Sequence, residues 1–355
     1  MSYPLSICKT KAISIISPIV VALCIFLAGC STDITTGSSG SSTIGSGVQG
    51  GVKVFVEPDA GNHPITDAIA NAQKSVWVEI YLLSDRSAIR ALEDAAHRGL
   101  DVRVMLEQHP YGGGPSPRRT MDQLSAAGIR VQPTSPSFAL THEKGMIIDS
   151  TTAYIMTSNF TRSALGGTSG GSGSFVNREY DIVDTNPQDV QTVIDIFNAD
   201  WARSNVQLND PNLVVSPINS RNAFTSLINS AHNTLLMEAE EMKDNDVEQA
   251  LVNTARRGVH IQVILPAARG SSGDSNSQGI SMIRQGGMQV KEDSRLYMHA
   301  KMMVVDGQKA FVGSENISAQ SLDQNRELGI IVSDGSVLST LQQTFQQDWG
   351  VSQSV

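Results

Sequence analysis

Cysteine is nearly absent from this chain of 355 residues, and all three copies, Cys8, Cys24 and Cys30, lie in the first 30 positions. Beyond residue 30 there is no thiol, so neither an internal disulfide nor a cysteine metal site is available. Aromatic residues make up 5%, too few to build a stacking platform for single-stranded nucleic acid. Basic charge is also short. The formal net charge is −9, and it falls to −11 once Lys9 and Lys11 are set aside. A broad polyanion-binding face wants the opposite sign, which disfavours nucleic acid as a partner while leaving room for a local basic funnel. No His/Cys/Asp/Glu cluster shows metal-ligand spacing, so no cofactor is implied and the chemistry is expected to run without metal. Long apolar runs are missing after the N-terminal segment, whereas 40% hydrophobic and 17% charged residues are ordinary for a globular domain.

The N-terminus differs from the rest. Lys9 and Lys11 precede an apolar run from Ile13 to Phe26 that ends in Leu27-Ala28-Gly29-Cys30. This tetrapeptide is similar to the lipobox of bacterial lipoproteins, which implies a signal peptide over residues 1–29 and lipidation of Cys30. Ser31 in the next position points to the outer membrane or cell surface, so the expected address is the bacterial cell envelope, reached by export and held by a lipid anchor. A retained signal anchor is the alternative. Residues 30–52 are rich in Gly and Ser and read as a flexible tether.

The remainder consists of two copies of one unit, residues 53–205 and 206–355. An offset of 159 relates Pro58 to Pro217, Ile69 to Ile228, Glu79 to Glu238 and Gly99 to Gly258. An offset of 148 relates Asn177-Arg178-Glu179 to Asn325-Arg326-Glu327, and Phe197, Asp200 and Trp201 to Phe345, Asp348 and Trp349. Nine extra residues in the first copy account for most of the difference, and the Gly/Ser-rich run 166–174 supplies them. Each copy predicts a helix, an apolar strand, a second helix and a short strand, then paired strands and a closing helix. In the first copy these are a helix near Ile65 to Gln73, a strand from Val76 to Leu83, a helix capped by Asp85 and stopped at Gly99, and a strand from Val102 to Leu106. Strands alternating with helices imply an α/β fold with mixed sheets covered on both faces.

Between these landmarks the copies share a chemical motif. His299, Lys301 and Asp306 repeat the spacing of His142, Lys144 and Asp149, and after a gap of six residues beyond each aspartate come Gly313-Ser314-Glu315-Asn316 and Met156-Thr157-Ser158-Asn159. A phosphodiester resists attack because it is anionic. A catalyst must supply a nucleophile, a proton for the leaving oxygen and cations for the phosphoryl charge. Two histidines can supply the first two, since one ring can be neutral while the other is protonated. Lysines two residues away on a strand share a face with them. Asn159, Asn316 and Ser314, with Thr157, are candidate donors to the phosphate oxygens, and Asp149 and Asp306, at strand ends, are candidates for structural bonds to turn amides.

This pattern resembles the phospholipase D superfamily, whose members carry two H-K-D motifs, and the resemblance extends over nearly all of the chain beyond residue 52. It implies an α-β-α sandwich with the two repeats related by a pseudo-twofold axis, as an internal pseudo-dimer in a monomer. It implies a phosphohistidine on one histidine, by family habit His142, with His299 as the acid and then the base. Nothing in the sequence distinguishes the two. Lys144 and Lys301 become phosphate clamps, and Glu179 and Glu327 the carboxylates that hold the far imidazole nitrogens. The family glycine is replaced by Met156, which puts the backbone approach to phosphate on that side in doubt. The first functional expectation is hydrolysis of a glycerophospholipid headgroup at a membrane. The competing readings are an exported metal-independent nuclease, a cardiolipin-synthase-like phosphatidyl transferase, and a surface binding protein without turnover.

Overall fold

Two sheets carry the same strand order, so the repeat is structural as well as sequential. The structure is a computed structural model that describes residues 51–111, 117–166, 175–268 and 274–355. The signal-peptide and Cys30 expectations and the tether up to residue 50 lie outside the described residues, as does the Gly/Ser-rich run beyond Gly166. In hydrogen-bonded order the first sheet runs Val52–Glu57, Asn177–Asp184, Thr152–Met156, Lys144–Ile148, Ser75–Ile80, Asp101–Leu106 and Arg130–Pro133. The second runs Leu213–Ser216, Glu327–Val332, Lys309–Gly313, Lys301–Val305, Thr234–Ala239, His260–Pro266 and Gln289–Asp293, with Gln353–Ser354 added at the far edge. Both sheets are mixed: Ser75–Ile80 pairs parallel with Asp101–Leu106 and antiparallel with Lys144–Ile148.

Local chemistry places the helices. Asp85 accepts hydrogen bonds from the amides of Ser87 and Ala88, at 2.9 and 3.0 Å, and starts the helix Arg86–His97. Its repeat partner Asp244 does the same for Val247 at 3.1 Å. Gly99 and Gly258 follow their helices at φ +85° and +95°, a backbone region that side chains disfavour. The periodicity misses several elements. The first sheet begins at Val52, inside the expected tether, and the helices Pro117–Ala126 and Ser277–Gln285 fall where no apolar period was legible.

Alternation on the buried strands divides the interior. Ile147 faces a core shared by both repeats, while Met146 and Ile148 face an outer core belonging to the first repeat alone. Met302 and Val304 join the shared core, and Met303 and Val305 face the outer core of the second repeat. The closing helices Pro187–Ala202 and Gly335–Val351 put Val190, Ile194 and Phe197 and Val337, Leu341 and Phe345 into the shared core. The two repeats thus bury their inner faces on each other within one unit of residues 47–355. Buried arginine–aspartate pairs cross this interface. Arg178 donates to Asp348 at 2.6 and 2.9 Å, and Arg326 to Asp200 at 2.8 Å, all four side chains being buried.

Candidate active site

Backbone pairing between the repeats builds the site. Tyr297–Met298, just before the second motif, runs parallel to Asn177–Arg178, just before Glu179. The mirror arrangement is a bridge between Thr141 and Arg326. The next residues in register are His299 beside Glu179, and His142 beside Glu327. Each histidine therefore takes its carboxylate from the other repeat: His142 Nδ1 lies 3.0 Å from Glu327 Oε2, and His299 Nδ1 lies 2.8 Å from the Glu179 carboxylate. Similar spacings within each repeat hide this exchange in the sequence.

Burial and charge fix the His142 tautomer. Burial opposes ionisation of Glu327, yet His142 and Lys144 hold its carboxyl below the ordinary range, so it is an anion and accepts only. Nδ1 of His142 must then be the donor, which leaves Nε2 with a free lone pair. The His142 pKa is itself lowered, chiefly by burial and also by the charge of Lys144, against the pull of Glu327. The glutamates are held in turn. Glu327 accepts from Ser314 at 2.7 Å, Ser321 at 2.7 Å and Asn325 at 3.0 Å. Glu179 accepts from Thr157 at 2.6 Å and Asn177 at 2.8 Å.

Those bonds alter the assignment of Ser314. Its hydroxyl donates to Glu327, accepts from the Leu328 amide at 3.0 Å and is fully buried, so Ser314 orients the carboxylate and is not placed to receive a phosphate oxygen. The asparagines are differently placed. Asn159 and Asn316 line one cavity of about 500 Å³ together with His142, His299, Tyr81 and Glu240. The Asn159 amide oxygen accepts from Leu82 at 3.2 Å, which leaves its nitrogen as the donor it can offer.

The lysines lie behind the histidines. Lys144 Nζ donates to the backbone oxygen of His142, and Lys301 Nζ to that of His299 at 2.6 Å. Lys144 is fully buried, and burial pulls its pKa down to about 7. Lys301 is also bonded to Glu240 at 2.7 Å, a contact with no counterpart among the described residues of the first repeat. At the position equivalent to Glu240 stands Tyr81, whose ring meets His142 edge-on at 4.8 Å and lies 5.2 Å beneath the Lys144 ammonium. Neither Glu240 nor Tyr81 was singled out from sequence. The signal was present, because the 159-residue offset pairs them and shows where the repeats stop matching.

Asp149 and Asp306 do not face the cavity. Asp149 accepts from the amides of Gln73, Lys74 and Ser75 at 2.6–3.1 Å, and Asp306 from those of His232, Asn233 and Thr234 at 2.8 Å. Each ties its own turn, at φ +54° and +52°, to the loop that starts the neighbouring strand. Gly313 needs no phosphate to explain it. A Cβ there would stand 2.4 Å from the Gly329 Cα and 2.9 Å from the Phe311 ring, whereas Met156 at the equivalent position is buried in the first repeat's outer core. Among the described residues one set of carboxylates, Glu79, Glu143 and Asp200, approaches closely enough to share an ion. Arg326 already brings positive charge to Asp200, and burial raises the pKa of all three acids.

Comparison with known proteins agrees with this geometry. A family model described as "Cardiolipin synthase, PLD-like domain" matches residues 65–201 and again 224–349. A probable cardiolipin synthase of Bacillus subtilis is 23% identical over 349 residues, covering 86% of this chain and 67% of its own. The fold is that of a phosphatidylserine synthase from Haemophilus influenzae, with a TM-score of 0.62 at 13% identity, covering 86% of this chain and 87% of that one. It is also that of a polyphosphate kinase from Porphyromonas gingivalis, with a TM-score of 0.65 at 16% identity, covering 83% of this chain but 46% of that one. With the family model matching both halves and well over half of its length, the protein belongs to the phospholipase D-like domain family.

Proposed function

We propose that this protein moves a phosphatidyl group from a phospholipid to an alcohol through a phosphohistidine, with water as a competing acceptor. One observation carries the reading: two histidines, each held at Nδ1 by a buried carboxylate from the opposite repeat, line a single cavity. Family membership and the cardiolipin synthase relative support transfer over the simple hydrolysis that the sequence put first. In the first step the Nε2 lone pair of one histidine attacks phosphorus while the ester P–O bond breaks. The departing oxygen takes a proton from Nε2 of the other histidine. In the second, that histidine removes the proton of the acceptor hydroxyl, whose oxygen attacks phosphorus. The P–N bond breaks and its electron pair returns to the first ring. Lys144, Lys301, Asn159 and Asn316 supply positive charge and amide donors around the phosphoryl group. Glu179 and Glu327 keep both rings oriented, with Ser314 and Thr157 behind them. Attachment of Cys30 to the cell envelope would bring this site to a membrane substrate. Among the described residues no helix is long and apolar enough to cross one.

The test is to supply vesicles of phosphatidylglycerol, vesicles of phosphatidylcholine with added ethanol, and plasmid DNA side by side. Cardiolipin with free glycerol, or phosphatidylethanol, is the expected product, and His142→Ala and His299→Ala each abolish it. Phosphatidic acid alone returns the assignment to hydrolysis, nicked plasmid alone to a nuclease, and full activity in either variant removes the two-histidine mechanism.

A further inference from the structure

The repeats match closely except where it matters for the direction of the reaction. Around His142 the equivalent position holds the neutral ring of Tyr81, whose hydroxyl accepts from the Tyr111 amide at 2.5 Å. Around His299 it holds Glu240, with Oε2 3.6 Å from His299 Nε2, the nitrogen that faces the cavity. Other groups fix that carboxylate. Oε2 receives Lys301 at 2.7 Å, Oε1 receives the Tyr297 hydroxyl at 2.9 Å, and the backbone oxygen receives Asn276 at 3.0 Å. The other titratable or charged groups near Glu240 are His142, Lys144 and Tyr81 of the first repeat and the ion pair of Lys243 with Glu241 at 2.6 Å on its own segment. Burial works against ionisation of Glu240, but His299, Lys301 and His142 outweigh it and hold its carboxyl well below the ordinary range.

We propose that Glu240 is the positioning residue that makes the pseudosymmetric site directional: its carboxylate keeps the proton on His299 Nε2 and leaves His142 as the free base that attacks phosphorus. The inference rests on the phosphatidyl-transfer reading above. A full anion beside Nε2 stabilises imidazolium far more than the neutral phenol ring that stands beside the buried imidazole of His142. His299 therefore enters the cycle as the acid, gives its proton to the leaving alcohol, and is the base that the acceptor hydroxyl meets in the second step. His142 carries the phosphoryl group between the two. The same carboxylate holds Lys301, so on the repeat-two side the lysine's charge is partly neutralised before substrate arrives. Lys144 has no carboxylate among its hydrogen-bond partners in the described residues.

The experiment combines acid–base profiling with mapping of the intermediate. Enzyme is quenched in alkali during turnover of phosphatidylglycerol labelled at phosphorus, and the labelled peptide is identified. In the wild type the label is expected on the His142 peptide. Glu240→Gln is expected to move the basic limb of the kcat profile down by about one pH unit or more, and Glu240→Asp to restore most of that shift. The exchange Tyr81→Glu with Glu240→Tyr is expected to move label onto the His299 peptide. An unmoved basic limb in Glu240→Gln, wild-type label on His299, or label that stays on His142 after the exchange overturns the proposal. If the wild type turns over with no phosphohistidine on either peptide, the covalent reading beneath it falls as well, and the two failures are told apart by that control.

Discussion

The crossed pairing of histidines and glutamates can be tested without knowing which histidine attacks. Glu327 accepts four side-chain hydrogen bonds, from His142, Ser314, Ser321 and Asn325. In Glu327→Gln the amide has one acceptor oxygen for these donors and turns its nitrogen towards a former partner. If that partner is His142, the amide N–H competes with the Ser314 carbonyl, 3.2 Å from Nδ1, and wherever Nδ1 accepts instead the proton sits on Nε2, which removes the reactive lone pair. Loss of a hydrogen bond to a charged group is worth about 1.5–3 kcal/mol, or roughly 10- to 150-fold, and tautomer inversion takes the loss to the order of 10²–10⁴. Glu179→Gln should cost a similar amount at His299. The assay compares the first-turnover burst on a natural phospholipid with that on a phosphatidyl ester of p-nitrophenol, whose leaving group needs no proton. One histidine variant, the acid, regains its burst on the activated ester, and the other does not. Glu179→Gln is expected to behave like His299→Ala and Glu327→Gln like His142→Ala. Should Glu327→Gln follow His299→Ala instead, each glutamate would be serving its own repeat and the exchange across the interface would be refuted.

Three further outcomes follow from the packing. Burial pushes Glu57 up to about 8 and Asp181 up to about 7, and it raises Glu143 and Glu238 as well. A carboxyl raised by folding contributes stability that is complete below about pH 4 and is lost as pH rises through the folded value. Lys144, lowered to about 7, works the other way above that pH. His142, also lowered, acts in the same sense as Lys144, but the raised acids outnumber these two bases, so the urea midpoint should fall between about pH 5.5 and 8.5, and an equal or higher midpoint at 8.5 would contradict this. Arg178→Met should cost about 3–5 kcal/mol in chemical denaturation by stranding buried Asp348, while adding Asp348→Leu should recover part of it; simple additivity would mean that the pair is not coupled. Gly313→Ala should destabilise by about 1–3 kcal/mol, because its Cβ has no room beside Gly329 and Phe311, and an unchanged melting temperature would count against that packing.

What the sequence determined by itself is whatever repeats or has a local cause. The duplicated H-K-D spacing and the 159- and 148-residue offsets repeat, and the Asp85 cap and the glycine stops act within a few residues, so the sequence pattern exposes them, and with them the α/β repeat and the family resemblance. Four things belong to the tertiary structure alone. Glutamate exchange between repeats depends on Tyr297–Met298 lying beside Asn177–Arg178, a contact between segments about 120 positions apart. Ser314 leaves the phosphate and Gly313 becomes a packing residue because neighbouring strands decide which atoms they meet. Glu240 and Tyr81 differ in kind at matched positions, and only their placement against the two imidazoles turns that difference into chemistry. Pattern records what a residue does to its chain neighbours, whereas a catalytic pocket is assembled from strand ends whose proximity is set by which sheet faces bury each other.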